Sequence, residues 1–390
     1  MLTYQTSEPV AVLIVGAGPV GLAAAVMLRR RGVNVRIVDA APHGASTSRA
    51  AVIHARTLEV LSEIGVVGPI LEEGVVVPDF TVRDGSQTLA RLDFRGLHTD
   101  YPFTLMLPQS RTEELLRAEL SRLGCEAERG VEFESFAGVG SGANEVAVLR
   151  HRDGTREKVT SRFVIGADGS HSRVRQEREI SFDGSEYAAS FVLADVSMTW
   201  SLAPDEVQLF LARQGLVVVA PLPGGHHRIV ATMDDAPSEP SIADVQRILD
   251  ERGPDDAVVR SVAWSSRFRV AHRLAASYRD GRVFLAGDAA HVHSPAGGQG
   301  MNLGIQDAVM LGGLLADVLS GARGEEALDD YELLRRPAAQ RVITFTDRMT
   351  RMATLRGSSL RGVRNTVIRV LLRSPRRRGV LARRIAQLEA

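Results

Sequence analysis

The sequence predicts an α/β fold: a parallel sheet assembled from separated stretches of chain, a second, β-rich layer, and helices at the C-terminal end. Three observations predict it. A short apolar run, Ala11–Val15, closes on Gly16-Ala17-Gly18-Pro19-Val20-Gly21 and opens a helix-like stretch, Leu22 to Arg31. Two later apolar runs share one design, each ending in a carboxylate among small residues: Phe163 to Gly169 with Asp168, and Arg282 to Ala290 with Asp288. Between them lie short β-branched-rich runs with turn signals. A chain of 390 residues, 44% hydrophobic and 24% charged, has room for two or three domains and is not disordered, collagen-like or coiled-coil.

Ala11–Val15 reads as a strand buried on both faces of a parallel sheet. Gly16 permits the tight turn, Gly18 lets the backbone approach a pyrophosphate, and Gly21 lets the helix pack on the strand. The helix N-terminus that follows offers free N–H groups and a partial positive charge to the phosphates. A second run, Val33–Val38, ends in Asp39, 18 positions beyond Gly21, placed to accept hydrogen bonds from ribose hydroxyls. This unit predicts a dinucleotide without choosing between FAD and NAD. Ala11–Leu28 is also 18 residues without a charge. Its glycines and Pro19 would break a spanning helix, and no basic residue precedes it, so a soluble, cytoplasmic protein is expected.

The later stretches choose FAD. Asp168 and Asp288 stand at the C-terminal ends of sheet strands, where open α/β sheets bind ligands. Ser294 to Asn302, with Gly297, Gly298 and Gly300, is a loop opening a long apolar helix, Met301 to Leu319. A helix N-terminus there suits the anionic N1–C2=O edge of a reduced flavin.

From about Ala11 to about Arg341 the sequence resembles the class A flavin-dependent aromatic monooxygenases, of para-hydroxybenzoate hydroxylase-like fold. The resemblance rests on Gly16–Asp39, Gly166-Ala167-Asp168-Gly169, and Gly287-Asp288 with Pro295 to Asn302. Ser48-Arg49-Ala50, His54-Ala55-Arg56-Thr57 and Gln109-Ser110-Arg111-Thr112-Glu113 add to it. It implies a discontinuous Rossmann-like FAD-binding domain with a β-rich substrate domain. It implies Asp39 at the adenosine ribose, Arg49 near the phosphates, and Gln109 and Arg111 by the ribityl or phosphate region. Asp168 would serve the pyrophosphate and transient NAD(P)H docking, and Asp288 the ribityl chain. Pro295 would roof the reacting flavin carbon, with Met301 and Asn302 at the pyrimidine edge. The implied reaction consumes NADPH or NADH and O2, adds oxygen at flavin C4a as a hydroperoxide, and hydroxylates a phenolic or polycyclic aromatic substrate. Larger relatives carry a thioredoxin-like C-terminal domain, for which this chain is too short.

The expected segments are 1–75, 101–180 and 273–340 for the FAD-binding domain, 76–100 and 181–272 for the substrate domain, and 341–390 for Arg-rich helices. Within the substrate domain, Ser190–Ser197, Glu206–Ala212, Leu216–Pro221, His227–Thr232 and Val258–Val270 read as strands, and Phe80–Leu92 as a further pair. Ser241–Arg252 reads as a helix. Tyr187, Phe191, Phe210, Met233 and Trp264 are pocket candidates, with β-core packing the plainer alternative for each.

Equal numbers of basic and acidic residues, 47 of each, argue against a nucleic-acid binder. That balance hides an asymmetry: Arg351–Ala390 has eleven arginines against Glu389 alone. A cap helix packed on the acidic remainder is the plain reading of this tail; an anionic membrane or a dimer contact are the alternatives. The single cysteine, Cys125, excludes an intrachain disulfide relay. His291 and His293 make at most half a metal site, so no metal is expected. The partners expected are a small aromatic substrate and O2, in a monomer or homodimer, without nucleic acid or membrane. A reductase or oxidase of the same fold, and a flavin-binding module without turnover, remain as alternatives.

Overall fold

The computed structural model describes residues 4–389 apart from 7, 45–49, 140–143, 234–235 and 354–357. Along the chain, β1 (Val10–Val15), α1 (Pro19–Arg30) and β2 (Val35–Asp39) lead to α2 (Ala55–Glu63), the hairpin β3 (Asp79–Asp84) and β4 (Gln87–Asp93), and α3 (Gln109–Arg122). Next come β5 (Ala127–Arg129), β6 (Val131–Val139), β7 (Glu145–His151), β8 (Arg156–Gly166), β9 (Phe182–Thr199), β10 (Glu206–Ala212), β11 (Gly215–Leu222) and β12 (His226–Thr232). Then follow α4 (Ile242–Arg252), β13 (Val258–Ala275), β14 (Val283–Leu285), β15 (His291–Val292), α5 (Gly300–Leu319), α6 (Asp329–Ala353), α7 (Ser358–Leu371) and α8 (Pro375–Ile385).

The first sheet has the order β6-β7-β8-β1-β2-β5, with β14 on the other side of the C-terminal half of β8. Its central strands are parallel, and their register aligns their ends. Val15 pairs with Gly166 and Val38, and Gly166 with Leu285. The three motifs, each more than a hundred residues from the next in sequence, therefore emerge along one edge. Val12, Leu13, Ile14, Phe163, Val164 and Ile165 are fully buried, which explains their unbroken apolar runs.

The second sheet runs β15-β13-β9-β12-β11-β10-β3-β4. Its two faces do different work. Val192, Ala194, Val196, Phe210 and Ile229 pack on one side against Val245, Ile248 and Leu249 of α4. From the other side Phe80, Leu92, Val207 and Leu222 meet Ala51, Ala55 and Met106. The strand pair expected over Phe80–Leu92 is the hairpin β3–β4, joined to the sheet edge by parallel pairing of β3 with β10.

Several boundaries differ from the expectation. Helix α1 begins at Pro19 rather than Leu22, since proline is pre-organised for a first helical position. Strand β2 starts at Val35 rather than Val33, which the Gly32 turn holds by a bond from its N–H to Leu28 O. Strands β9 and β13 are each 18 residues, longer than Ser190–Ser197 and Val258–Val270. They pair from Phe182–Ala275 to Thr199–Val258, with register shifts between Glu186 and Ser190, Asp195 and Val196, and Ser197 and Met198. Helix α4 matches closely, starting on a capping box between Ser241 and Asp244.

Among the described residues α5 is the one helix long and apolar enough to cross a membrane, but 78% of its apolar window is buried in the fold. The Arg-rich tail forms α7 and α8, and α6 runs unbroken through residue 340. Arg361 and Asn365 meet Asp84, and Arg364 donates to Leu211 O. Ala382, Ile385 and Ala386 are buried beside Ala51, Ala55 and Met106.

Candidate cofactor site

The glycine turn and the strand ends enclose a cleft of about 700 Å³ lined by Gly16, Gly18, Asp39, Gln109, Arg129, Asp168 and Arg173, among others. Gly16 has φ +104°, and a Cβ there would lie 2.3 Å from Ala167 O, so only glycine lets the two turns meet. A Cβ at Gly18 would meet nothing within 4 Å, and one at Gly21 would lie 1.8 Å from Gly16 O. Gly18 is the N-cap of α1 and makes no side-chain cap, so the first N–H groups of that helix face the cleft without a capping side chain.

Asp39 is braced by the backbone. Its Oδ2 accepts from Ala17 N–H and its Oδ1 from Ala41 N–H, both at 2.7 Å. Arg129 stands 3.2 Å from Asp39 Oδ2 and donates to Ala17 O at 2.9 Å. A carboxylate has about four acceptor positions, so capacity remains for ligand hydroxyls. Arg129 lies opposite Asp39 in the β2–β5 pairing, and the sequence reading missed it because β5 is three residues without a motif. Asp168 Oδ2 accepts from the N–H groups of Arg173 and Val174, while Oδ1 is buried without a hydrogen-bond partner. Burial raises its carboxyl above the usual range. Open space at Gly18, an uncapped helix start, spare acceptors at Asp39 and an orphaned acceptor at Asp168 suit a dinucleotide.

Gln109 reaches this cleft and donates to Glu113 at 2.9 Å. Arg111 does not; it is exposed and paired with Glu73 and Glu114. Ser48 and Arg49 lie outside the described residues.

At the other end, Gly287 has φ +62°, and a Cβ there would lie 2.8 Å from Val20 Cγ2. This contact brings the Gly287-Asp288 turn onto the start of α1. Asp288 is exposed on that turn. His291 and Asp307, both buried, lie 2.5 Å apart, and Arg335 donates to the second Asp307 oxygen at 2.5 Å. Burial opposes ionisation of Asp307, yet Arg335 and His291 hold its carboxyl below the usual range. Strand β15, α5 and α6 are thereby tied together.

The loop from Pro295 to Asn302 is bracketed rather than free. Pro295 is half-buried. Asn302 donates to Val52 O and Gly298 O, each at 2.7 Å, and accepts from His54 N–H at 2.8 Å. Its side chain is therefore used in holding the loop, and Met301 is 8% exposed in the core. What α5 offers a ligand is the backbone N–H groups of Gly300, Met301 and Asn302, since its start has no side-chain cap. His54 Nε2 lies 2.7 Å from Gly297 O, and burial pushes its pKa down to about 4. His54 stands in a quoted signature, but nothing in the sequence signalled this bracing role.

Over the cleft's neighbour sheet, Phe191 stacks on Phe268 at 5.6 Å. Arg228 and Asp195 form a paired bridge at 2.7 Å, and Trp264 is the register partner of Asp195. Phe210 and Met233 instead pack with the α4 side core, and the side chain of Tyr187 lies outside the described residues. No group of three or more metal-ligating side chains occurs among the described residues.

Residues 9–346 match a family described as an FAD binding domain. The 6-methylpretetramide 4-monooxygenase of Streptomyces rimosus is 42% identical over 89% of this chain and 63% of its own length. The pentachlorophenol 4-monooxygenase of Sphingobium chlorophenolicum is 36% identical over 92% of this chain and 69% of its own. The chain thus spans 63 to 69% of the length of these curated relatives. The crystal structure of p-nitrophenol 4-monooxygenase from Pseudomonas putida DLL-E4 has a TM-score of 0.86 at 25% identity, covering 98% of both chains. The chain belongs to the FAD-binding family to which these aromatic monooxygenases belong, and FAD is its cofactor.

Proposed function

We propose that the protein is an NAD(P)H- and O2-consuming monooxygenase that hydroxylates a phenolic or polycyclic aromatic compound. One observation carries most weight. Gly16, Asp39, Asp168 and Gly287 stand along a single sheet edge, between the uncapped N-termini of α1 and α5. Bound FAD would supply the redox chemistry, accepting electrons from NAD(P)H and activating O2 at C4a. The protein's part is to bind, orient and keep water out. In this reading Asp39 accepts from ribose hydroxyls, the start of α1 receives the pyrophosphate, and Asp168 Oδ1 faces the same region. Asp288 holds the ribityl chain, Pro295 forms the roof, and the N–H groups at the start of α5 stabilise the anionic pyrimidine edge. Arg111 has no part in it, because its guanidinium is taken by Glu73 and Glu114.

The names of the relatives, a 6-methylpretetramide 4-monooxygenase and a pentachlorophenol 4-monooxygenase, support the substrate class. The sheet face carrying Phe191, Asp195 and Trp264 is the substrate-facing wall in this reading. The test is O2 uptake by the FAD-loaded protein with NADH and NADPH across a panel of phenols and polycyclic phenols. Incorporation of labelled O2 oxygen into product is the expected result. Product formed without that label would make the protein a reductase or oxidase of the same fold.

A further inference from the structure

Just past α8 a residue on left-handed backbone lies beside the loop that opens α5. Past α8, Gln387 N–H donates to Arg384 O at 3.2 Å and Leu388 N–H to Arg383 O at 2.9 Å. This is the left-handed helix stop whose central position glycine usually fills. Here that position is Gln387, at φ +59°. A side chain on such backbone is disfavoured and persists where its surroundings demand it.

The surroundings here are the loop. Gln387 Oε1 accepts from Gln306 Nε2 at 2.5 Å, and Gln387 Nε2 donates to Gln299 Oε1 at 2.6 Å. Gln299, only 1% exposed, is the N-cap residue of α5. Its Nε2 donates to Gly297 O at 3.0 Å and to Ile385 O at 3.1 Å. Arg56 N–H at the start of α2 donates to Ala386 O at 3.2 Å. The C-terminal turn is thus a third bracket on residues 297–302, beside His54 and Asn302. Glycine would suit the backbone of position 387 better; what glutamine adds is an amide that reaches two buried amides of the loop helix.

The geometry points to Gln387 as a positioning residue that holds Gln299, and through it Gly297–Gly300, in the conformation that receives the flavin ring. The inference rests on the reading of residues 295–302 as the flavin seat. Without the Gln387 amide, Gln299 Oε1 and Gln306 Nε2 lose a buried partner, and the loop glycines, at φ +79° and +65°, lose one of their three brackets.

Gln387→Gly separates positioning from folding, because it removes the amide while relieving the backbone. Three quantities are compared in apoprotein and its variant: melting temperature, FAD affinity by flavin fluorescence, and ADP affinity by calorimetry. ADP occupies the Asp39 end alone. The variant is expected to melt close to the wild-type temperature, because the relieved backbone offsets the lost amide bonds, to bind ADP unchanged, and to bind FAD about tenfold more weakly, the equivalent of one buried hydrogen bond. Gln387→Asn tolerates the left-handed backbone but is one methylene short, and the same selective loss is expected. Unchanged FAD affinity in Gln387→Gly overturns the proposal. Equal weakening of FAD and ADP also overturns it, since that marks a general structural effect. If the wild-type protein holds FAD no more tightly than ADP, the flavin-seat reading itself falls, and the proposal with it.

Discussion

The glycine turn and the loop proposed to seat the flavin are built by different rules. At the glycine end, Ala17 and Asp39 are 22 positions apart, within one strand–turn–helix–strand unit. At the loop end, Asn302 is bound to Val52 and His54 across 250 and 248 positions, and Gln299 to Ile385 across 86. The first end is shaped by backbone that local sequence dictates. The second is held by side chains from distant elements, so it can be loosened without unfolding the sheet. Substitutions at the glycine end should weaken FAD and ADP alike, and substitutions at the loop end should weaken FAD selectively.

The largest break is expected at Gly16. Alanine there adds a Cβ 2.3 Å from Ala167 O on backbone at φ +104°. Gly16→Ala should cost several kcal/mol of stability and leave a nearly colourless protein that binds neither FAD nor ADP. Flavin absorbance per chain and ADP calorimetry read this. Retention of ADP but not FAD would contradict the comparison.

The loop end should respond to pH. His54 and His293 each have pKa lowered by burial from 6.5 to about 4. Between those values the unfolded chain takes up protons that the folded chain refuses, so stability falls as pH falls. Above pH 6.5 neither ring is charged in either state and the effect vanishes. Each ring should contribute about 3 kcal/mol of lost stability by pH 4. His54→Gln, which keeps a donor toward Gly297 O, should make the slope of unfolding free energy between pH 6.5 and 5 shallower. Denaturant titrations across that range measure it, and an unchanged slope would remove His54 from the account.

A smaller effect is expected from Asp39→Asn. The isostere keeps one acceptor oxygen but loses charge and the Arg129 pairing at 3.2 Å. The loss of a charged acceptor is worth about 2 kcal/mol, or roughly thirtyfold in affinity. FAD and ADP should lose it equally in parallel titrations.

The same contrast explains what the sequence made legible. Gly16, Asp39, Asp168 and Gly287 were readable because turn chemistry and strand ends are local, and parallel register then aligned them. The strand pattern from Glu206 to Thr232 was readable for the same reason, since half-buried strands alternate or run apolar. Arg129, His54 and Gln387 were not readable: each acts through a partner its neighbours in sequence do not announce. Arg111 shows the converse. A residue placed by resemblance near the cofactor turns to Glu73 instead, because nearby acidic partners compete for its guanidinium. The arginine tail reads as a cap on the acidic remainder; Arg361 does meet Asp84 and Arg364 the backbone of Leu211, but the contacts of Ala382, Ile385 and Gln387 with the core and the loop carry no charge signal.

The smallest effect sharpens the comparison most. Ser294 Oγ, at the start of the loop, lies 2.6 Å from Thr350 Oγ1 in α6 and accepts from Ala296 N–H at 3.3 Å. Thr350 in turn donates to Thr346 O at 2.8 Å, so the Ser294 hydroxyl is the donor between the pair. Thr350→Val keeps the volume and leaves Ser294, which is 1% exposed, without that acceptor. The cost should be about 1 kcal/mol, lowering the melting temperature by roughly 2 °C. Because Thr350 is far from the glycine turn in sequence and its hydroxyl meets the loop at Ser294, ADP affinity should not change while FAD affinity falls a few-fold. An equal fall in both would mean that α6 supports the whole cleft, and the two ends would then be one rigid unit rather than a fixed end and an adjustable one.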